Sequence, residues 1–254
     1  MAYLRIGSGE PLLFLPGLTN HHRPPRGMDR IAAVQQLRPL ARSRDVWWVN
    51  RRAGLTASVT IADLANDYAE GIRLWFGGPL DVLGVSTGGS VGLQLAADHP
   101  ELVRTLVLAA SGSRLGSVGR RAQRAAATSL YRGDRRGAGA AMFSILGDRR
   151  ITRWVWAALG WLAGPVLFRD GAPDMCATIE AEDVFDLTAR LPEIHVPVLL
   201  IGGDQDAPYG VDIFQQTVHG LPSARLLLYP RTGHLGVLAR RRFAPDVLGF
   251  LEAR

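Results

Sequence analysis

Leu80-Asp81-Val82-Leu83-Gly84-Val85-Ser86-Thr87-Gly88-Gly89-Ser90-Val91-Gly92-Leu93 is the stretch whose reading decides the fold. Its opening residues are mostly apolar and predict a strand, Leu80 to Val85. Its close begins a helical pattern, Gly89 to Ala97, which ends before His99-Pro100. Between the two stands Gly84-x-Ser86-x-Gly88. A chain that turns from strand to helix around one residue crowds the side chains two positions to either side, and glycine relieves that crowding. The turn holds the serine in a strained backbone state with its oxygen exposed, over the positive end of a helix. String, strand and helix together point to a nucleophile at Ser86; the plain alternative is a glycine-rich turn.

Outward from this stretch, short apolar runs alternate with helical patterns. Leu12 to Leu15, Val46 to Asn50, Leu102 to Ala110, Val196 to Ile201 and Arg225 to Tyr229 predict further strands. Ile61 to Trp75 spaces its apolar residues near 3.6 and is stopped by Gly77-Gly78; Phe214 to Val218 and Pro245 to Glu252 also read as helical. Val196 to Ile201 is almost wholly apolar, as in a strand covered on both faces. The alternation predicts an α/β fold, a mostly parallel sheet flanked by helices. It breaks once, between Ser111 and Leu191, where four helical stretches follow one another: Val118 to Tyr131, Arg135 to Leu146, Thr152 to Leu162 and Pro173 to Arg190. So much helix exceeds an ordinary crossover and predicts an inserted helical cap. The expected division is a core of residues 1–112 and 191–254 and a cap of residues 113–190, set over the carboxyl ends of the strands, where such sheets bind ligands.

Composition narrows the function. A chain of 254 residues suits one domain carrying an insertion, and 47% apolar residues exclude a disordered chain. The lone Cys176 excludes an intramolecular disulfide and reads as a buried free thiol. The net charge of +6 is carried by 29 arginines with no lysine. They come in scattered groups such as Arg51-Arg52 and Arg240 to Arg242, without interleaved aromatics, so nucleic acid is not an expected partner. Without lysine no Gly-Lys-Ser/Thr phosphate loop is possible, and no Gly-x-Gly-x-x-Gly follows a strand; no cofactor is expected. His21-His22 lacks further histidine or cysteine partners at ligand spacing, so no metal is expected. Met1 to Gly7 lacks a basic region followed by an apolar core, and the expected location is cytoplasmic. The most apolar stretch, Trp154 to Phe168, is too short for a span of about 20 residues, so no stable membrane insertion is expected. A lid that meets lipid is a second reading of it, weakened by Gly160, Gly164 and Pro165. The oligomeric state stays open.

The elbow at Ser86, the opening Tyr3-x-x-x-Gly7-x-Gly9-x-Pro11 and the closing Gly233-His234 together resemble the α/β-hydrolase fold superfamily, in its serine hydrolase and esterase-like form with a helical cap. The likeness covers nearly the whole chain. It implies a base and an acid for the serine, in the order Ser, acid, His. Of six histidines, His219 and His234 follow an acid loop, and the Gly-His pair after the last strand matches His234. The acid belongs in Gly202-Gly203-Asp204-Gln205-Asp206-Ala207-Pro208. The family's Gly-x-x-Asp spacing lands on Asp206, while Asp204 could cap the turn. The oxyanion hole implied is the backbone N–H of Thr87 and that of Leu18, in Leu15-Pro16-Gly17-Leu18. Most relatives have His-Gly there; Pro16 removes the hydrogen bonds that a histidine makes.

The implied activity is cleavage of a small, mostly apolar carboxylic ester through an acyl-enzyme. The pocket is expected to draw on His21 at its rim and on Met142, Phe143 and Trp154 from the cap, which suits an apolar or aromatic ester; the plain alternative is that these side chains only pack the cap. The same triad could act on a lactone, an amide or a carbon–carbon bond, or in cofactor-free perhydrolysis, because fold and triad do not encode substrate. A ligand-binding relative without turnover is the reading of another class. Ser86 argues against epoxide and haloalkane chemistry, which use a carboxylate nucleophile.

Overall fold

The computed structural model describes residues 1–147, 150–170 and 172–253, with Arg150 and Ile151 described by backbone alone. Seven apolar runs pair into one sheet: β1 (Tyr3–Gly7), β2 (Glu10–Leu15), β3 (Arg44–Val49), β4 (Leu80–Val85), β5 (Val103–Ala109), β6 (Val198–Gly203) and β7 (Ala224–Tyr229). Their spatial order is β1-β3-β2-β4-β5-β6-β7. All neighbours are parallel except β1, which lies antiparallel on β3 at the edge. Before β5 come helices α1 (Gly27–Leu37), α2 (Ile61–Trp75) and α3 (Thr87–Asp98). Between β5 and β6 come α4 (Ser117–Tyr131), α5 (Arg135–Ser144), α6 (Arg150–Leu167) and α7 (Pro173–Asp183). After β6 come α8 (Val211–Gly220), α9 (Gly236–Ala239) and α10 (Phe243–Glu252).

Alternation along each strand sorts its side chains into two cores. Leu13, Leu15, Val82, Leu106 and Leu200 point to one face, where α2, α3 and α8 cover them with Leu64, Leu95 and Phe214. Leu12, Phe14, Leu83, Val107 and Leu199 point to the other, under Leu37 of α1 and Val247 and Leu251 of α10. Burial of both faces explains why β6 lacks polar residues. The four helices after β5 form the cap, with a small core of Leu130, Phe168, Met175, Cys176 and Ile179. Leu18, just past the carboxyl end of β2, packs against that core, so the cap sits over the strand ends. Burial pushes the Cys176 thiol up to about 11, as befits an unreactive packing residue.

Three local expectations need correction. The helix expected over Pro173 to Arg190 stops at Asp183. Beyond it Leu187 N–H donates to the Ser113 carbonyl at 2.9 Å and Asp186 bridges Arg114, so the end of the cap is tied back to its start. The helix expected over Thr152 to Leu162 runs on to Leu167, through Gly160, Gly164 and Pro165. The glycines serve close packing there: a methyl group on Gly139 of α5 would collide with the Gly160 carbonyl, and one on Gly164 with the Arg135 carbonyl. Finally, α1 forms where no helix was expected; among its residues Leu37 alone is buried, so its apolar periodicity is faint. Among the described residues no helix is long and apolar enough to cross a membrane.

Candidate active site

The turn between β4 and α3 is one residue long, and that residue is Ser86, at φ 51° and ψ −123°. A residue with a Cβ is rare in this region of backbone space, at a typical cost of about 1–3 kcal/mol. Both elbow glycines are forced by contact. A methyl group on Gly84 would run into the Gly88 carbonyl, and one on Gly88 into the Leu15 carbonyl. The Ser86 N–H donates to the Ala109 carbonyl at 3.0 Å, which fixes the turn to the neighbouring strand.

The structure brings the other two predicted residues to this serine. His234 Nε2 lies 3.0 Å from Ser86 Oγ, and His234 Nδ1 lies 2.8 Å from Asp206 Oδ2. Asp206 is buried, and its other oxygen accepts the Tyr209 N–H at 3.0 Å. The Tyr209 ring stacks on the imidazole, with centroids 5.9 Å apart. Asp204 does something else. Its Oδ1 accepts the Thr232 N–H at 3.1 Å, tying the loop after β6 to the loop that carries His234. Backbone hydrogen bonds from Arg231 and Thr232 hold its carboxyl below the usual carboxylate range.

The loop after β2 lies directly against the elbow serine: a methyl group on Gly17 would meet Ser86 Cβ at 3.4 Å. Pro16 offers no side-chain hydrogen bond at its position, and a fully buried arginine holds the loop instead. Arg51 donates to the Pro16 carbonyl at 3.1 Å, the Gly17 carbonyl at 2.8 Å, Thr19 Oγ1 at 3.2 Å and His22 Nε2 at 3.2 Å. Asn50 adds a bond from its amide to the His21 carbonyl at 2.9 Å. On the opposite side of the elbow, Glu182 of α7 is wholly buried. It accepts from Thr87 Oγ1 at 2.7 Å, Ser90 Oγ at 3.0 Å, Gln123 Nε2 at 3.0 Å and Tyr209 Oη at 3.3 Å. Sequence reading missed both Arg51 and Glu182. One stands in an arginine pair and the other in the acidic run Glu180-Ala181-Glu182-Asp183, and both patterns ordinarily mark a solvated surface.

His22 gives this loop a pH dependence. Its Nδ1–H donates to the Arg52 carbonyl at 2.8 Å, so Nε2 is free to accept from Arg51, and the ring is neutral. Burial, then the Arg51 charge, lowers its pKa from 6.5 to about 4. The unfolded chain therefore binds the extra proton first. This contribution to stability is complete above pH 6.5 and is lost as pH falls toward 4, by about 3 kcal/mol at most. Denaturant titrations across that range should show the loss, and His22→Gln should flatten it.

The pocket candidates divide. A groove of about 1530 Å³ runs beside the loop after β2 and takes in His21, Leu18, Val85, Val166 and Leu235. Met142, like Leu18, packs against the cap core. Phe143 lies against Trp156, with centroids 6.5 Å apart. Trp154 is 76% exposed and does not line this groove. The glycine face of α6 is turned toward α5, and residue 154 lies about 120° around the helix from Gly160. Among the described residues no group of three or more His, Cys, Asp or Glu could hold a metal ion.

Sequence comparison fits the architecture: a model of the alpha/beta hydrolase family matches residues 12–247. The chain belongs to that family of hydrolases, and it is an enzyme. It is 31% identical over 195 residues to a pimeloyl-[acyl-carrier protein] methyl ester esterase of Neisseria meningitidis serogroup B, covering 72% of this chain and 73% of that one. Among solved structures it resembles an alpha/beta hydrolase enzyme from a Medee basin deep-sea metagenome library, with TM-score 0.78 and 17% identity over 98% of this chain and 93% of the other. It also resembles the enol-lactonase from Burkholderia xenovorans LB400, with TM-score 0.76 and 19% identity over 98% and 95%. Both structural likenesses speak to the fold.

Proposed function

We propose that this enzyme cleaves a small, mostly apolar carboxylic ester by way of an acyl-enzyme on Ser86. The observation that carries the reading is the unbroken relay from Ser86 Oγ to His234 Nε2 at 3.0 Å and from His234 Nδ1 to Asp206 at 2.8 Å. Ser86 Oγ attacks the ester carbonyl while Nε2 takes its proton. The new tetrahedral oxygen is met by the N–H groups of Leu18 and Thr87. His234 then protonates the departing alkoxide, and the acyl group stays on Ser86. Water then attacks the acyl carbon as Nε2 takes its proton, and Nε2 passes that proton to Ser86 Oγ as the bond between Oγ and the acyl group breaks and the acid leaves. Asp206 keeps the imidazole proton on Nδ1 throughout and stabilises the imidazolium. Leu18, Val166 and Leu235 along the groove support an apolar acyl group. The Neisseria relative is named for a methyl ester, which supports a small alcohol as leaving group.

Labelling with a fluorophosphonate, followed by peptide mass spectrometry, tests the reading. The label is expected on the peptide containing Ser86. Product-resolved assays should favour methyl and other short-alcohol esters over lactones, amides and diketones. A folded sample that neither labels nor turns over any ester is a binding protein, and the proposal fails. The two loop aspartates should separate cleanly. Asp206→Asn is expected to lower kcat by about 10³- to 10⁴-fold, because the wrong tautomer faces the serine. Asp204→Asn should keep kcat within a few-fold, since it touches backbone alone.

A further inference from the structure

From Trp154 to Phe168, α6 carries no charged residue. Gly160 and Gly164 are pressed against α5, which fixes the rotation of the helix. The face left outward is apolar along its length. Trp154, Val155, Leu159, Leu162 and Val166 follow one another at helical spacing and are 47–76% exposed. A lone chain seldom leaves so continuous a stripe in water. Cations frame it. Between residues 135 and 170 the sequence has six arginines against two aspartates. The Arg136 guanidinium sits 4.0 Å over the ring of Trp161, while exposed Arg153 and Arg169 bracket the stripe in sequence. At its carboxyl end, Val166 and Leu167 enter the groove that Leu18, Arg23 and Arg26 also line.

We propose that this face of the cap docks on an anionic lipid surface. The apolar stripe lies at the boundary of headgroups and acyl chains, tryptophan rings sit at headgroup level, and the arginines meet lipid phosphates. The contact is peripheral, in keeping with a helix too short to span. A second copy of the chain fits the face less well, because an isologous contact sets two arginine-rich hairpins of like charge against each other. Docking stands on the surface alone. Its use, admission of lipid-dissolved esters into the groove at Val166, rests on the hydrolase reading above.

Sedimentation of the full chain with large unilamellar vesicles tests the docking directly. Vesicles of equal parts phosphatidylglycerol and phosphatidylcholine are expected to carry down about tenfold more protein than phosphatidylcholine alone, and high salt should erase the difference. The double variant Val155→Glu/Leu162→Glu should lose vesicle binding. It should keep its circular dichroism spectrum and its turnover of a water-soluble ester. Val184→Glu, on another exposed apolar residue, should bind as the parent does. Equal sedimentation with both vesicle types, or a double variant that binds like the parent, overturns the proposal. So does a dimer in sizing chromatography that the double variant splits, which assigns the face to a second copy. Ser86→Ala should bind vesicles unchanged, so a failure of the catalytic reading leaves this result standing.

Discussion

Ser86→Ala loses about 10⁴- to 10⁶-fold in kcat on any ester the enzyme accepts, and its Tm stays within about 2 °C of the parent. Chemistry requires an oxygen within reach of His234 Nε2, now 3.0 Å away, and alanine has none to offer. What remains is the polarising effect of the loop amides, which acts without a nucleophile. Stability is largely spared because the hydrogen bond that alanine loses, to His234 Nε2, is only partly buried. A companion variant separates the two effects further. Ser86→Gly loses the same activity yet should melt higher, by roughly 1 kcal/mol of stability, because φ of 51° is strained for serine and free for glycine. Initial-rate assays and calorimetry on the three proteins decide the matter. A Ser86→Ala enzyme that keeps turning over ester removes the nucleophile from the mechanism.

Arg51→Met is expected to damage both stability and rate. Methionine spans a similar length and donates nothing. The Pro16 and Gly17 carbonyls and His22 Nε2 then lose their donor inside the protein. Each stranded acceptor costs about 1–3 kcal/mol, while removing a buried charge returns part of that through relieved desolvation. The balance is a loss of about 3 kcal/mol, or about 6–12 °C in Tm. On the proposed mechanism the released loop carries the Leu18 N–H that meets the oxyanion, so kcat should fall about 100-fold with KM little changed. Arg51→Lys brings one compact charge in place of a fork and should recover part of the Tm and less of the rate. A folded Arg51→Met enzyme with kcat within threefold of the parent shows that the loop holds itself.

What could be read from the chain follows the range of the physics. The elbow is local. Strand, glycine, serine, glycine and helix lie within a dozen residues, and sterics alone require the glycines at 84 and 88. The alternation that predicts a parallel sheet is also local, and six strands were legible for that reason. Asp206 and His234 needed the family's chain order. Arg51 and Glu182 were illegible because burial of a charge depends on what folds over it, and nothing within ten residues of either reveals that. Which way the cap side chains face was beyond local reading as well. Trp154 and Phe143 sit in apolar helices, but the glycine contact between α5 and α6 decides which way they turn, and that contact lies between residues more than twenty apart.

Glu182 has one more consequence, for which parts of the cap are tied to the elbow. A single carboxylate bonded to Thr87 and Ser90 of α3 and to Gln123 of α4 bolts α7 and α4 to the nucleophile's own helix. The α5–α6 pair grips itself glycine to glycine instead, and reaches the sheet domain through the Asn20 amide on the Leu167 carbonyl at 3.1 Å. Exchanging α5 and α6 as one cassette is therefore expected to change acyl-chain preference and leave the walls around Ser86 undisturbed, which rates on esters of graded acyl length check.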